Sequence, residues 1–161
     1  MKLLEVIAKL EKSAEFLVWK GHSHSFLMSV FTMYEQEPDE WLVSYFDPET
    51  RGVTTFQVDA ESCHRKEENK VENPVKELNI RKPNIEMEQA VATAVQEYEK
   101  KVAQKSVKTI AILQNIDEGQ VWNISLMAAN FSIFNCRIDS ETGKVSSSTF
   151  GQLFSQSSKG V

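Results

Sequence analysis

Only two cysteines, four prolines and six glycines occur in this 161-residue chain. Cys63 and Cys136 cannot build the disulfide framework of a small secreted domain; they read as reduced thiols, with a single bridge between them as the alternative. Scarce proline and glycine exclude collagen-like and low-complexity sequence. No stretch approaches the ~20 apolar residues that span a bilayer, since even Val107 to Ile116 contains Lys108. The N-terminus lacks the apolar core of an export signal, because Glu5, Lys9, Glu11 and Lys12 interrupt it, so a soluble cytoplasmic protein is expected. Positive charge is also in deficit: 18 basic against 23 acidic residues give a net charge of -5, which repels phosphate and anionic lipid. Nucleic acid and membrane are therefore not expected as partners. Neither G-x-x-x-x-G-K-S/T nor G-x-G-x-x-G occurs, so phosphate cradles of those types are absent.

What is present is an ordinary globular balance, 41% hydrophobic and 25% charged. A chain of this length buries roughly 68–70% of its unfolded surface, enough to fold as one domain or two small ones without metal. Leu3, Ile7, Leu10, Ala14 and Leu17 recur at spacings of four and three, the stripe of an amphipathic helix over about 3–20, with Lys20-Gly21 as its stop. From Ser25 the period changes to two, and both faces carry large apolar groups, so a largely buried strand runs to about Tyr34. Strands are expected again over Trp41–Phe46 and, after the turn Asp47-Pro48-Glu49-Thr50-Arg51-Gly52, over Val53–Val58.

Arg65, Lys66, Glu67, Glu68, Lys70 and Glu72 crowd the next segment, and Pro74 and Pro83 cut it, which marks 63–84 as a charged linker. A second helix follows, with Asn84 as a candidate N-cap, Glu86 and Glu88 in its first turn, and Met87, Val91, Ala94, Tyr98 and Val102 on its buried face. Strand-like runs then occupy about 107–116, 120–128 and 131–138, a short one starts at Val145, and a polar tail begins at Ser155.

The order helix, strand, strand, strand thus occurs twice. A shift of about 81 residues places Trp41 on Trp122, and a shift of 80 places Val58-Asp59-Ala60-Glu61-Ser62 on Ile138-Asp139-Ser140-Glu141-Thr142. A rival register places Asp47-Pro48-Glu49-Thr50 on Asp139-Ser140-Glu141-Thr142. The expectation is an α+β fold of two helix-plus-antiparallel-sheet units forming a pseudo-repeat, side by side or on a shared sheet. The units would be 1–62 and 85–154, with the linker 63–84 between them and a frayed tail at 155–161.

Val121-Trp122 and the ending Ile138-Asp139-Ser140-Glu141-Thr142-Gly143-Lys144-Val145, behind an alanine-containing helix, resemble a PepSY domain. Trp41-Leu42-Val43 and Val58-Asp59-Ala60-Glu61-Ser62 resemble it more loosely and lack the threonine-glycine ending. The resemblance implies a helix packed on a small antiparallel sheet and a non-catalytic module of the kind attached to protease propeptides, which restrains proteases. It also implies relatives that act mostly outside the cytoplasm.

The chemistry-bearing residues point the same way. His22 and His24 share one face of an extended segment and Cys63-His64 adds two donors, but their separation fits no closed zinc motif. The pairs Glu35/Glu37, Asp39/Glu40 and Glu67/Glu68 stand in polar connections that keep them solvated. No catalytic residue, metal or cofactor is expected. The function read from the sequence is a non-enzymatic protein- or peptide-interaction module, monomeric or homodimeric, with Trp41 and Trp122 near a shared surface. The alternative is a small-molecule-binding or enzymatic domain of cystatin-like or nuclear-transport-factor-like kind, which needs an enclosed pocket above ~300 Å³ lined by converging polar groups.

Overall fold

Period-two burial organises most of the chain. The computed structural model describes residues 1–152, the side chain of Glu67 excepted. Its elements are α1 (Leu3–Lys12), α2 (Ala14–Lys20), β1 (Phe26–Tyr34), β2 (Glu40–Phe46), β3 (Gly52–Asp59), β4 (Cys63–Lys70), α3 (Met87–Glu99), β5 (Ser106–Ile116), β6 (Gly119–Ala128), β7 (Ser132–Asp139) and β8 (Val145–Gln152). All eight strands form one antiparallel sheet in the order β4-β3-β2-β1-β5-β6-β7-β8. The seam between its halves is an antiparallel ladder from Ser29↔Gln114 to Tyr34↔Thr109.

This overturns the expected α+β pair of helix-plus-sheet units. The fold is β-rich, with one sheet and one core. Val30, Trp41, Val43, Phe56, Ala111, Leu113, Trp122, Ile124, Phe134 and Ile138 all point to one face and join a single buried cluster with Val6, Leu10, Phe16, Ala90, Ala94 and Tyr98 of the helices. Since residues of alternate parity face opposite ways, all three helices lie on that face. A strand apolar on both sides, as β1 and β5 are, is a central strand, and pairing them puts both at the middle of the sheet.

Three local readings also change. The single helix over 3–20 is broken at Ser13, whose hydroxyl accepts the Phe16 N–H (3.3 Å) and caps α2. The break rotates α2, so Phe16 is buried while Leu17 of the expected stripe is 57% exposed. The helix α3 starts after Glu86, where Gln89 Oε1 accepts the Glu86 N–H (2.9 Å), rather than at Asn84. The Asn84 N–H instead donates to the Ser140 carbonyl. Finally, the first part of the expected linker is the edge strand β4, paired with β3 from Val58↔Cys63 to Gly52↔Lys70. The tail expected from Ser155 lies outside the described residues.

The rest of that segment is a strap. Leu78 is buried, its N–H bonded to the Leu27 carbonyl (2.8 Å). Buried Gln120 clasps Asn79, accepting its N–H (2.6 Å) and donating to its carbonyl (3.0 Å). At the upstream end, Arg51 donates to the carbonyls of Val71, Glu72 and Asn73. Turns are closed by aspartates: Asp59 Oδ1 accepts the N–H groups of Glu61 and Ser62, and Asp139 Oδ1 those of Glu141 and Thr142. Gly143, at φ +73°, completes the second turn in a conformation that costs other residues strain.

Two predictions follow from these contacts. Replacing Leu78 by Ala should cost about 2–4 kcal/mol in denaturant unfolding, as for a core residue and unlike a linker residue. The bonds to Glu61, Ser62 and Thr142 hold the Asp59 and Asp139 carboxyls below their usual value of 3.8. A depressed folded-state value stabilises the fold above that pH, and this contribution is lost as pH falls through the folded value. Stability should therefore decline on acidification below about pH 4, less steeply in Asp59→Asn and Asp139→Asn.

Candidate functional site

Where the starts of α1 and α3 approach each other, the two helices leave a gap over the centre of the sheet. Trp41 at the head of β2 and Trp122 near the head of β6 line it, both only 1% exposed. Leu3 and Leu4 of α1, Ile80, Pro83 and Ile85 of the strap, and Met87 of α3 complete its apolar wall. The cavity measures about 200 Å³. Lys2, Glu5, Glu86 and Glu88 form its rim. Lys2 Nζ meets Glu86 Oε2 at 3.1 Å, an exposed pair that ties the two helix starts together but adds little stability. Hydrogen bonding to Glu86 raises the Lys2 ammonium. With that pair neutralised, Glu5 and Glu88 leave the rim acidic. Burial raises the nearby Tyr34 hydroxyl, and Glu88 adds to the effect.

The two tryptophans differ in their polar atoms. Trp122 Nε1 donates to the Ile85 carbonyl (2.9 Å) and so fixes the strap just before α3. Trp41 Nε1 is buried with no acceptor among the described residues. Both indoles line one groove, as walls rather than as exposed platforms. Two wider hollows, of about 430 and 450 Å³, lie open to solvent beside Leu78–Arg81 and beyond the end of α3.

The metal alternative is not assembled. His22 and His24 are exposed in the α2–β1 connection, Cys63 opens β4 and His64 is exposed beside it. Among the described residues no three His, Cys, Asp or Glu side chains form a group able to hold a metal ion. The cysteines are free thiols, and burial pushes each of them up, the opposite of the shift that makes a nucleophile. Burial, reinforced by Glu11, likewise keeps the Tyr45 phenol protonated.

The structure brings Trp41 and Trp122 to one gap together with Ile80, Pro83 and Ile85, which the sequence did not single out because charge and proline made their segment read as a linker. The apolar series Val75, Leu78, Ile80 and Ile85 within that polar stretch was the available signal.

No family model matches the chain, and no curated protein matches it. The PepSY resemblance thus has no family match behind it. Among solved structures, the chain is similar to a Clostridium difficile 630 protein described as a putative lipoprotein, with 11% identity and a TM-score of 0.57. The match covers 86% of this chain and 90% of that one. At this identity the likeness is one of fold.

The unequal indoles give a direct test. Trp122→Phe orphans the Ile85 carbonyl and should cost about 1–2 kcal/mol more than Trp41→Phe, which removes an N–H that has no partner to lose. Equal costs in chemical denaturation would contradict the assigned bond.

Proposed function

We propose that the protein is a non-enzymatic interaction module whose groove between α1 and α3 receives one apolar side chain of a protein or peptide partner. The groove's size carries the reading. At about 200 Å³ it is below the ~300–1,000 Å³ of small-molecule sites, yet it suits a single anchoring side chain of the kind that dominates protein interfaces. Its walls are apolar, and its titratable residues stand at the rim, where they can steer a partner but do not converge on a substrate. Rim charge defines the partner further. With the Lys2 ammonium held by Glu86, the carboxylates of Glu88 and of Glu5, which accepts the Lys2 backbone N–H (2.8 Å), favour a segment whose apolar anchor is flanked by lysine or arginine.

The observations that favour this module also weigh against the pocket alternative. The two hollows of about 430 and 450 Å³ are open to solvent, and burial favours the neutral forms of Cys63, Cys136 and Tyr45.

Calorimetric titration with short peptides carrying one Leu, Met or Phe between lysines tests the proposal. Saturable binding is expected, weakened about tenfold by Glu88→Lys and by Leu4→Asp, an exposed wall residue. Absence of binding across the set, or affinity indifferent to both substitutions, would contradict it.

A further inference from the structure

With three helices on one face, no element among the described residues covers the opposite face of the sheet, which is apolar at its centre. Phe31, Leu42, Ile110, Ile112, Met127 and Ile133 are half-buried there and Met33 is 46% exposed. A sheet packed on one side only normally alternates apolar with polar residues. Here the bare side departs from that pattern in the middle strands and keeps it at the edges, where β4 places His64 beside Gln57 and β8 places Ser147 and Thr149 beside Arg137 and Asn135.

One row across this face is informative. Through consecutive strand pairings it runs Gln57, Leu42, Phe31, Ile112, Asn123, Arg137. Its midpoint is the β1–β5 seam, between Phe31 and Ile112. At one end the Gln57 amide donates to Glu40 Oε2 (2.6 Å), which holds a carboxylate on the bare face. At the other end the Arg137 guanidinium is half-buried and has no ion-pair partner among the described residues. A two-fold axis parallel to the strands and passing over the seam would exchange the two ends of the row. Phe31 would then lie over Ile112 of the other copy, Leu42 over Asn123, and each Arg137 over the other copy's Glu40 and Gln57. An isologous interface requires this self-complementarity.

We propose that the bare sheet face is the interface of a homodimer, two sheets stacked face to face with reciprocal Arg137–Glu40 pairs flanking an apolar centre. The six inner strands, ~4.8 Å apart and ~25 Å long, present about 700 Å² per copy. Two copies bury ~1,400 Å², within the ~1,200–2,000 Å² range of stable interfaces. The face carries little of the chain's net negative charge: Lys108 at its margin is paired with Glu35 (3.8 Å), and the cation Arg137 at one end of the row is balanced by Glu40 beside the other. The helix-side groove stays open in this arrangement, so the dimer is independent of the binding proposed above.

Sedimentation velocity across the micromolar range, with circular dichroism to verify folding, tests this. The unmodified chain should sediment as a dimer. Phe31→Asp should be monomeric with an unchanged spectrum; if it fails to fold, the surface charge variants decide. Arg137→Glu and Glu40→Arg should each weaken dimerisation at least about tenfold, and the double variant should restore it. A folded chain that remains monomeric overturns the proposal and leaves the face to a different partner. A dimer indifferent to both charge reversals, or one not recovered in the double variant, overturns it equally.

Discussion

The antiparallel ladder between β1 and β5 is the interaction on which the rest depends. It joins strands that lie about eighty residues apart in sequence, from Ser29↔Gln114 to Tyr34↔Thr109. Closing such a distance costs chain entropy before any contact is made. The gain is that Val30 and Thr32, Ala111 and Leu113 become the buried centre of one core instead of the exposed edges of two small sheets. Because the ladder is antiparallel and the side chains alternate, it also decides that α1, α2 and α3 cover the same face. The groove and the bare face are both consequences of that choice.

The strap between β4 and α3 then works against a second constraint. The starts of α1 and α3 approach each other, tied by Lys2 and Glu86, yet leave a gap over the sheet. Ile80, Pro83 and Ile85 line this gap, held in place by the Asn79–Gln120 clasp and by the Trp122 indole. A segment whose composition is that of a linker is thus part of the core and of the candidate site. Backbone groups of Leu78, Asn79, Asn84 and Ile85 bond to Leu27, Gln120 and Ser140, which anchors the polar strap on both sides of buried Leu78.

Much of the element list was legible because burial imprints a period. The strands around Phe26–Tyr34, Trp41–Phe46, Val53–Val58 and 107–138 follow the alternation of their residues. The misses have physical causes. Cys63–Lys70 lacks alternation because an edge strand with one neighbour and no helix over most of its length has no reason to be apolar, and charge there discourages strand addition. Ser13 interrupts a stripe that is helical on both sides, and only the tertiary demand to seat Phe16 against Tyr45 and Phe56 makes its hydroxyl a cap. The greatest error, a pair of α+β units in place of one β-rich body, came from the seam, whose existence the expectation had left open. Apolar residues on both faces of β1 and β5 declare that each is central, but nothing in either sequence names the neighbour. The pairing of Trp41 with Trp122 came from the 81-residue shift between the halves; the groove that both line depends on the strap and was not legible.

Native-state hydrogen exchange tests this account most directly, since its central claim is that the seam makes the sheet one cooperative body. Amides of β1 and β5 should exchange only through global unfolding, with the same free energy and denaturant dependence as those of β3 and β7 in the two halves. Exchange of the seam through a lower-energy opening, with the halves retaining separate and unequal protection, would contradict it.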